Sequence, residues 1–204
     1  MPSLAEIRRA LHGAWRLIFI DPRALLDFDG SPRGALHSFW AAAIVLPLNV
    51  VSILIPVRAI GEAAEPASNI ALDTLGTIVG WLLLLALVYA LVRWYGKADR
   101  YWLFVCTYNW TQIPQVVAAV LIALLVAGAS NLVNVESIAS TPTGPALLAG
   151  ISILLARLLR IAIFAYEWYV AWVSLEAGIL VPIIVVLLDF ALGLSILRLT
   201  AGLA

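Results

Sequence analysis

Five apolar runs, at about residues 37–58, 73–94, 102–128, 146–172 and 179–200, dominate the chain. Each has the roughly 20 residues that a helix needs to cross about 30 Å of hydrocarbon. No water reaches a bare peptide N–H or C=O inside lipid, so each run has to close its own backbone hydrogen bonds as a helix. The expected fold class is all-α: a polytopic membrane helical bundle of five transmembrane helices, preceded by an N-terminal amphipathic helix. Composition agrees, since 64% of the 204 residues are hydrophobic and 12% are charged, about half the charged share of a soluble domain. Mean hydropathy is +1.04. The chain divides into a cytoplasmic amphipathic or interfacial region, 1–36, and a five-span transmembrane domain, 37–204.

Twelve basic residues balance twelve acidic ones, which excludes a basic nucleic-acid binder, and no nucleic-acid partner is expected. Position is more informative than the total. Arg8, Arg9, Arg16, Arg23 and Arg33 precede the first span, and Arg93, Lys97 and Arg100 occupy the second loop. The first loop has Arg58 beside Glu62 and Glu65, and the third, about 129–145, has only the acid Glu136. The positive-inside rule then places the N terminus and second loop in the cytoplasm and, after five spans, the C terminus outside. Trp94, Tyr95, Tyr101 and Trp102 bracket the second loop as an interfacial belt does. Lys97 is the single lysine among the twelve basic residues, a bias associated with GC-rich bacterial genomes. The expected location is the bacterial cytoplasmic (inner) membrane. The third loop, through Thr141-Pro142-Thr143-Gly144-Pro145, reads as the longest and most mobile linker.

Residues 1–20 lack the unbroken apolar stretch of a signal peptide, because Arg8, Arg9, His12 and Arg16 interrupt it. At helical spacing Leu4, Ile7, Leu11, Trp15 and Ile18 form one stripe, with Arg9, His12 and Arg16 on another side. This pattern suits a helix on a membrane surface, with Arg9 and Arg16 at anionic lipid headgroups and Trp15 at their boundary. It equally suits a helix packed on the protein's own cytoplasmic face. Two helix starts follow, at Asp21-Pro22-Arg23 and Ser31-Pro32-Arg33, each with a capping side chain before a proline at the first helical position. Asp27-Phe28-Asp29-Gly30 matches only the opening of a calcium loop and lacks the distal Glu, so no metal is expected there.

A charge in the bilayer centre costs about 2.5–3.5 kcal/mol on insertion scales and needs a partner or a function. Arg157, Arg160, Phe164 and Glu167 share one sector of the fourth span, which is expected to face protein. Asp189 lies near the centre of the fifth span, and antiparallel packing predicts an ion pair with Arg157 or Arg160 at mid-membrane depth. Such a pair either fixes helix register or serves as a charge relay or substrate counter-ion. In the third span Tyr101, Tyr108, Gln112 and Gln115 form a polar stripe flanked by Thr107, Asn109 and Thr111. These side chains either hydrogen-bond neighbouring helices or line a hydrated cavity. Asn49, Ser52, Thr74 and Thr77 are candidates for the same network, and Gly76 and Gly80 permit a close helix contact. Pro47, Pro56, Pro114 and Pro182 predict kinks. Cys106 reads as a small buried thiol.

The chain has no Gly-rich phosphate loop, zinc-protease motif or serine elbow. Both histidines, His12 and His37, precede the first span, and Asp189 is the one deep Asp. No catalytic residue, metal or cofactor is expected, and the chain reads as non-enzymatic. Five spans without a clear inverted repeat do not divide into transporter halves unless the chain oligomerises. A basic N-terminal region with Asp21-Pro22-Arg23 before the first of five spans and a very short outer C terminus resembles the Yip domain family. Those are small five-span membrane proteins, named for Ypt-type GTPase interaction in eukaryotes. The resemblance implies a membrane-organising or scaffold role and assigns no functional residues. The alternative is a small oligomeric channel or transporter, with Arg157, Arg160, Glu167, Asp189 and the Gln112 stripe lining a polar path. The partners implied are the lipid bilayer, anionic headgroups, and a second copy or another membrane protein.

Overall fold

The computed structural model describes residues 1–59, 67–136 and 144–203. Glu62 and Glu65 of the first loop and Thr141, Pro142 and Thr143 of the third lie outside these residues. The described chain is helical throughout. Helix α1 spans Leu4–Ile18, and a 3₁₀ turn at Pro22–Asp27 leads to α2, Pro32–Ser38. A second 3₁₀ turn, Phe39–Ala41, joins α2 to α3, Ala42–Ala59. Then come α4, Ala67–Trp94, a 3₁₀ turn at Ala98–Arg100, α5, Tyr101–Glu136, α6, Gly144–Leu175, and α7, Leu180–Leu203. Four segments, Pro32–Ile55, Ile70–Trp94, Ala98–Leu132 and Ala146–Leu175, are long and apolar enough to cross a membrane. The expected fifth corresponds to α7, whose described apolar run is the shorter Leu180–Ile196. Residues 129–136, expected in the third loop, instead extend α5, because no Gly or Pro interrupts them.

Helix α5 is the hub. Residues 104 to 111 are buried on every face, the mark of a helix surrounded by others. It packs chiefly on α6 and α3 and also meets α2 and α1, while α4 pairs with α7. Gly80 permits that second pairing, since a Cβ there would lie 2.6 Å from Cδ1 of Ile196. An ion pair between Arg100 and Glu176 ties the turn before α5 to the turn after α6 and sets both at one height. We call this the belt end. Trp94, Tyr95 and Trp102 are exposed there, and Trp168 stacks on Trp172 with ring centroids 5.5 Å apart. Phe104, Leu84, Val88, Val92, Leu175, Val181 and Val185 form a close-packed core just inside it.

The N-terminal region is a cap on this end. A reciprocal capping box between Ser3 and Glu6 starts α1, and Ala10, Gly13, Ala14 and Leu17 are buried against the bundle. The Tyr166 hydroxyl donates to the Ala14 carbonyl at 2.8 Å, and His37 Nδ1 meets Glu6 Oε1 at 2.9 Å. Of the two sequence readings for α1, packing on the protein's own face describes its inner side. The two predicted helix starts form as expected: Asp21 Oδ1 accepts from the Arg23 N–H at 3.0 Å, and Ser31 Oγ accepts from the Gly34 N–H at 3.1 Å. Asp27 and Asp29, which open the calcium-like string, are engaged within the cap. Asp27 pairs with Arg16 at 2.9 Å and His12 at 3.3 Å, and Asp29 accepts from the Ser31 N–H at 2.9 Å. That backbone bond holds the Asp29 carboxyl below its ordinary range.

Candidate functional site: a polar cleft among the helices

A cleft of about 610 Å³ opens among α3, α4, α5, α6 and α7, within the size range of small-molecule sites. Its floor carries Trp81 and Tyr108, and its walls run away from the belt end past Gln112, Gln115, Ile122, Arg160 and Asp73. Asp189, Asn49 and Thr77 also face it, and Val45, Val116 and the Phe164–Phe190 pair supply apolar surface. The two rings meet edge to face, 5.8 Å between centroids. Beyond the floor lies the close-packed belt-end core, so the cleft is closed on that side.

Helical rise gives the heights of its polar groups. With the belt ends of α5, α6 and α7 taken as level, Tyr108 lies about 10 Å in, Asp189 about 14 Å, Gln112 about 16 Å, and Gln115 and Arg160 about 21–22 Å. The Tyr108 hydroxyl donates to Asp189 Oδ1 at 3.3 Å. The expected ion pair is absent: among the described residues neither Arg157 nor Arg160 pairs with Asp189. Sequence reasoning aligned the helix midpoints, whereas Asp189 sits about 8 Å nearer the belt end than Arg160. Arg157 follows the buried Ala156 by one residue, about 100° round the helix, and is exposed outside the cleft. The fourth-span charged face is therefore divided. Glu167 is buried at 2% exposure with Oε1 unpartnered, Arg160 faces the cleft, and Arg157 points outward.

Behind the cleft, Asn109 serves as a structural node. The Trp81 indole N–H donates to its Oδ1 at 2.8 Å, its Nδ2 donates to Ser38 Oγ at 2.8 Å, and Ser38 donates to the Ala35 carbonyl at 2.6 Å. This relay joins α4 to α5 and α2. Sequence reasoning found Asn109 and missed Ser38 and Trp81. The available signal was an indole N–H far from either end of an apolar helix, which needs an acceptor. It also left out Asp73, which reaches the cleft wall. Ser52 and Thr74, candidates for the network, instead return their hydroxyls to the carbonyls of Asn49 and Ile70 on their own helices. The Gln115 Nε2 on the cleft wall is buried without an acceptor.

The membrane-surface candidates separate too. Arg9 is exposed, and Trp15 is 60% exposed beside Phe19. Arg16 is corrected: its Nε and Nη2 donate to Asp21 Oδ2 at 2.9 and 2.6 Å, and its Nη1 donates to Asp27. The sequence stripe could not show that the turn after α1 folds two carboxylates back onto it. The hydrogen-bonded guanidinium in turn holds the Asp21 carboxyl below its ordinary range. No family model, curated protein or solved structure matches the chain.

Proposed function

We propose that this is a five-span, non-enzymatic protein of the bacterial inner membrane that binds a small solute or a lipid headgroup in an intramembrane cleft, as a carrier does. Helix α7 is the fifth span, the belt end and N terminus face the cytoplasm, and the cleft faces the outer side. The observation that carries the reading is the convergence of Arg160, Asp189, Gln112 and Gln115 on one space closed at the belt end. Intramembrane ionisable groups facing a cavity rather than each other mark a ligand or ion path. Ala119 lines the same space. In oriented vesicles an Ala119→Cys variant reacts with a small, charged, water-soluble thiol reagent added on the outer side, and Cys106, buried, gives a low background in the parent chain. Equal protection of position 119 from both sides refutes the cleft.

A Yip-type membrane-organising role is the second reading. It is favoured by the cap, which turns its apolar inner face onto the bundle and leaves Arg8, Arg9 and Trp15 outward. Replacing Arg8 and Arg9 by Gln in the full chain then slows its recruitment of a membrane partner without changing solute retention. Measurable solute flux in proteoliposomes that is lost in Asp189→Asn favours the carrier instead.

A further inference from the structure

Three charged side chains, Asp73, Arg160 and Asp189, line the cleft, and among the described residues none of them forms an ion pair. Asp189 has, among those residues, only the 3.3 Å hydrogen bond from Tyr108. Fixed charges of opposite sign that face one cavity at mid-membrane are costly unless each meets a counter-charge. The uncharged groups are sorted by height in the same way. Level with Arg160 stands Gln115, whose buried Nε2 is a donor without an acceptor. That upper tier therefore offers two donors, with the Asp73 carboxyl of α4 at a similar height across the cleft. The lower tier offers the Asp189 carboxyl, with the Phe164–Phe190 pair beside it to accept the apolar flank of a cation. Asp73, on α4 about 12 Å beyond Trp81 toward the mouth, is the third charged group of the wall, and it lacks the tyrosine and the aromatic pair that flank Asp189.

We infer that the cleft takes a zwitterion, its ammonium seated on Asp189 and its carboxylate or phosphate on Arg160 and Gln115. The inference rests on the cleft reading and adds the class of ligand. The tiers differ by about 8 Å along the helices, and the Gln115 side chain, which leans toward the N-terminal end of α5 and so toward the level of Asp189, narrows that gap. The apolar remainder of the wall, with Val45, Ile53 and Val116, suits an aliphatic side chain or an acyl chain. Two sources carry this chemistry: a free aliphatic amino acid, and the headgroup of phosphatidylethanolamine.

The test uses the purified full chain in detergent. Equilibrium dialysis with radiolabelled L-leucine reports the free zwitterion, and native mass spectrometry after exchange with phosphatidylethanolamine or phosphatidylglycerol reports the headgroup. Leucine retained at least about tenfold better than leucinamide and N-acetylleucine supports a free amino acid. Phosphatidylethanolamine retained over phosphatidylglycerol supports a lipid. In either case Asp189→Asn and Arg160→Gln each weaken retention by about tenfold or more, and Arg160→Lys recovers most of the second loss. Arg160 is exposed, so its variants keep the fold and the Arg160 arm stands even where Asp189→Asn destabilises the bundle. Leucinamide bound as well as leucine overturns the two-point assignment. So does retention of none of these probes by a chain whose Ala119→Cys variant is labelled, a result that leaves the cleft itself standing. Failure of Ala119→Cys to label removes the cleft and the inference together.

Discussion

Asn109→Leu tests whether the Trp81–Asn109–Ser38 relay holds α4, α5 and α2 together. The substitution keeps the branching at Cγ, puts bulkier methyl groups in place of the amide oxygen and nitrogen, and removes two hydrogen bonds of 2.8 Å each. Ser38 keeps its own bond to the Ala35 carbonyl, so the group stranded is the Trp81 indole N–H. A buried donor left unpaired costs about 1–3 kcal/mol, whereas interhelical hydrogen bonds in membranes average about 0.6 and reach about 1.7 kcal/mol. Together these set the expected loss at about 2 kcal/mol. The assay is reversible unfolding by sodium dodecyl sulfate in mixed micelles, followed by far-ultraviolet circular dichroism. Trp81→Phe and the double variant complete a cycle whose coupling energy is expected at about 0.5–1.5 kcal/mol. Additive losses, with coupling below about 0.3 kcal/mol, refute the relay and leave Asn109 as a packing residue.

The cap supplies two further predictions. Asp21 has a carboxyl whose pKa is lowered in the folded protein by its hydrogen bond to Arg16. Its contribution is therefore complete above the ordinary carboxylate value and is lost as pH falls through the lowered one. Protection of α1 from hydrogen exchange should fall on strong acidification and fall less steeply in Asp21→Asn, whose α1 is already less protected at neutral pH; identical profiles refute the linkage. Gly13→Ala places a Cβ 2.8 Å from the Asp27 Cβ and 2.9 Å from the Phe28 ring. An overpacked contact of this kind costs about 1–3 kcal/mol, so limited proteolysis should release α1 while the bundle stays intact, and unchanged cleavage counts against the docked cap.

The sequence showed the main course of the helices and their caps, because both follow from local spacing. But it ended α5 near residue 128, where the helix runs on to Glu136, and joined Arg157 to a face from which it points away. Of the Tyr101, Tyr108, Gln112 and Gln115 stripe the last three line the cleft, whereas the Tyr101 hydroxyl donates to the Leu85 carbonyl at 3.1 Å, and the Asp21 and Ser31 caps form as read. What spacing could not show is how far one helix slides along its neighbour. The stagger that separates Arg160 from Asp189 is set by turn lengths and by contacts such as Arg100 with Glu176, which are 76 residues apart. Arg16 illustrates the same limit: its partners come from a turn that folds back, and no helical projection of residues 4–18 contains them. The Ser38 and Trp81 roles were hidden because each makes sense only once Asn109 stands between them.

The aromatic belt lies at one end of the bundle. Trp94, Trp102, Trp168 and Trp172 are gathered there with the cap and its Trp15, whereas α5 and α6 run on for 36 and 32 residues, or about 54 and 48 Å, well past a hydrocarbon layer of about 30 Å. Such a molecule is moored by its base. When the bilayer thickens or thins, the moored end keeps its depth and the adjustment by tilt falls on the free ends of the helices. The cleft lining stops short of those ends, at Ile122 on α5 and Arg160 on α6, so changes in bilayer thickness are taken up beyond the cleft while its floor at Tyr108 and Trp81 keeps its depth.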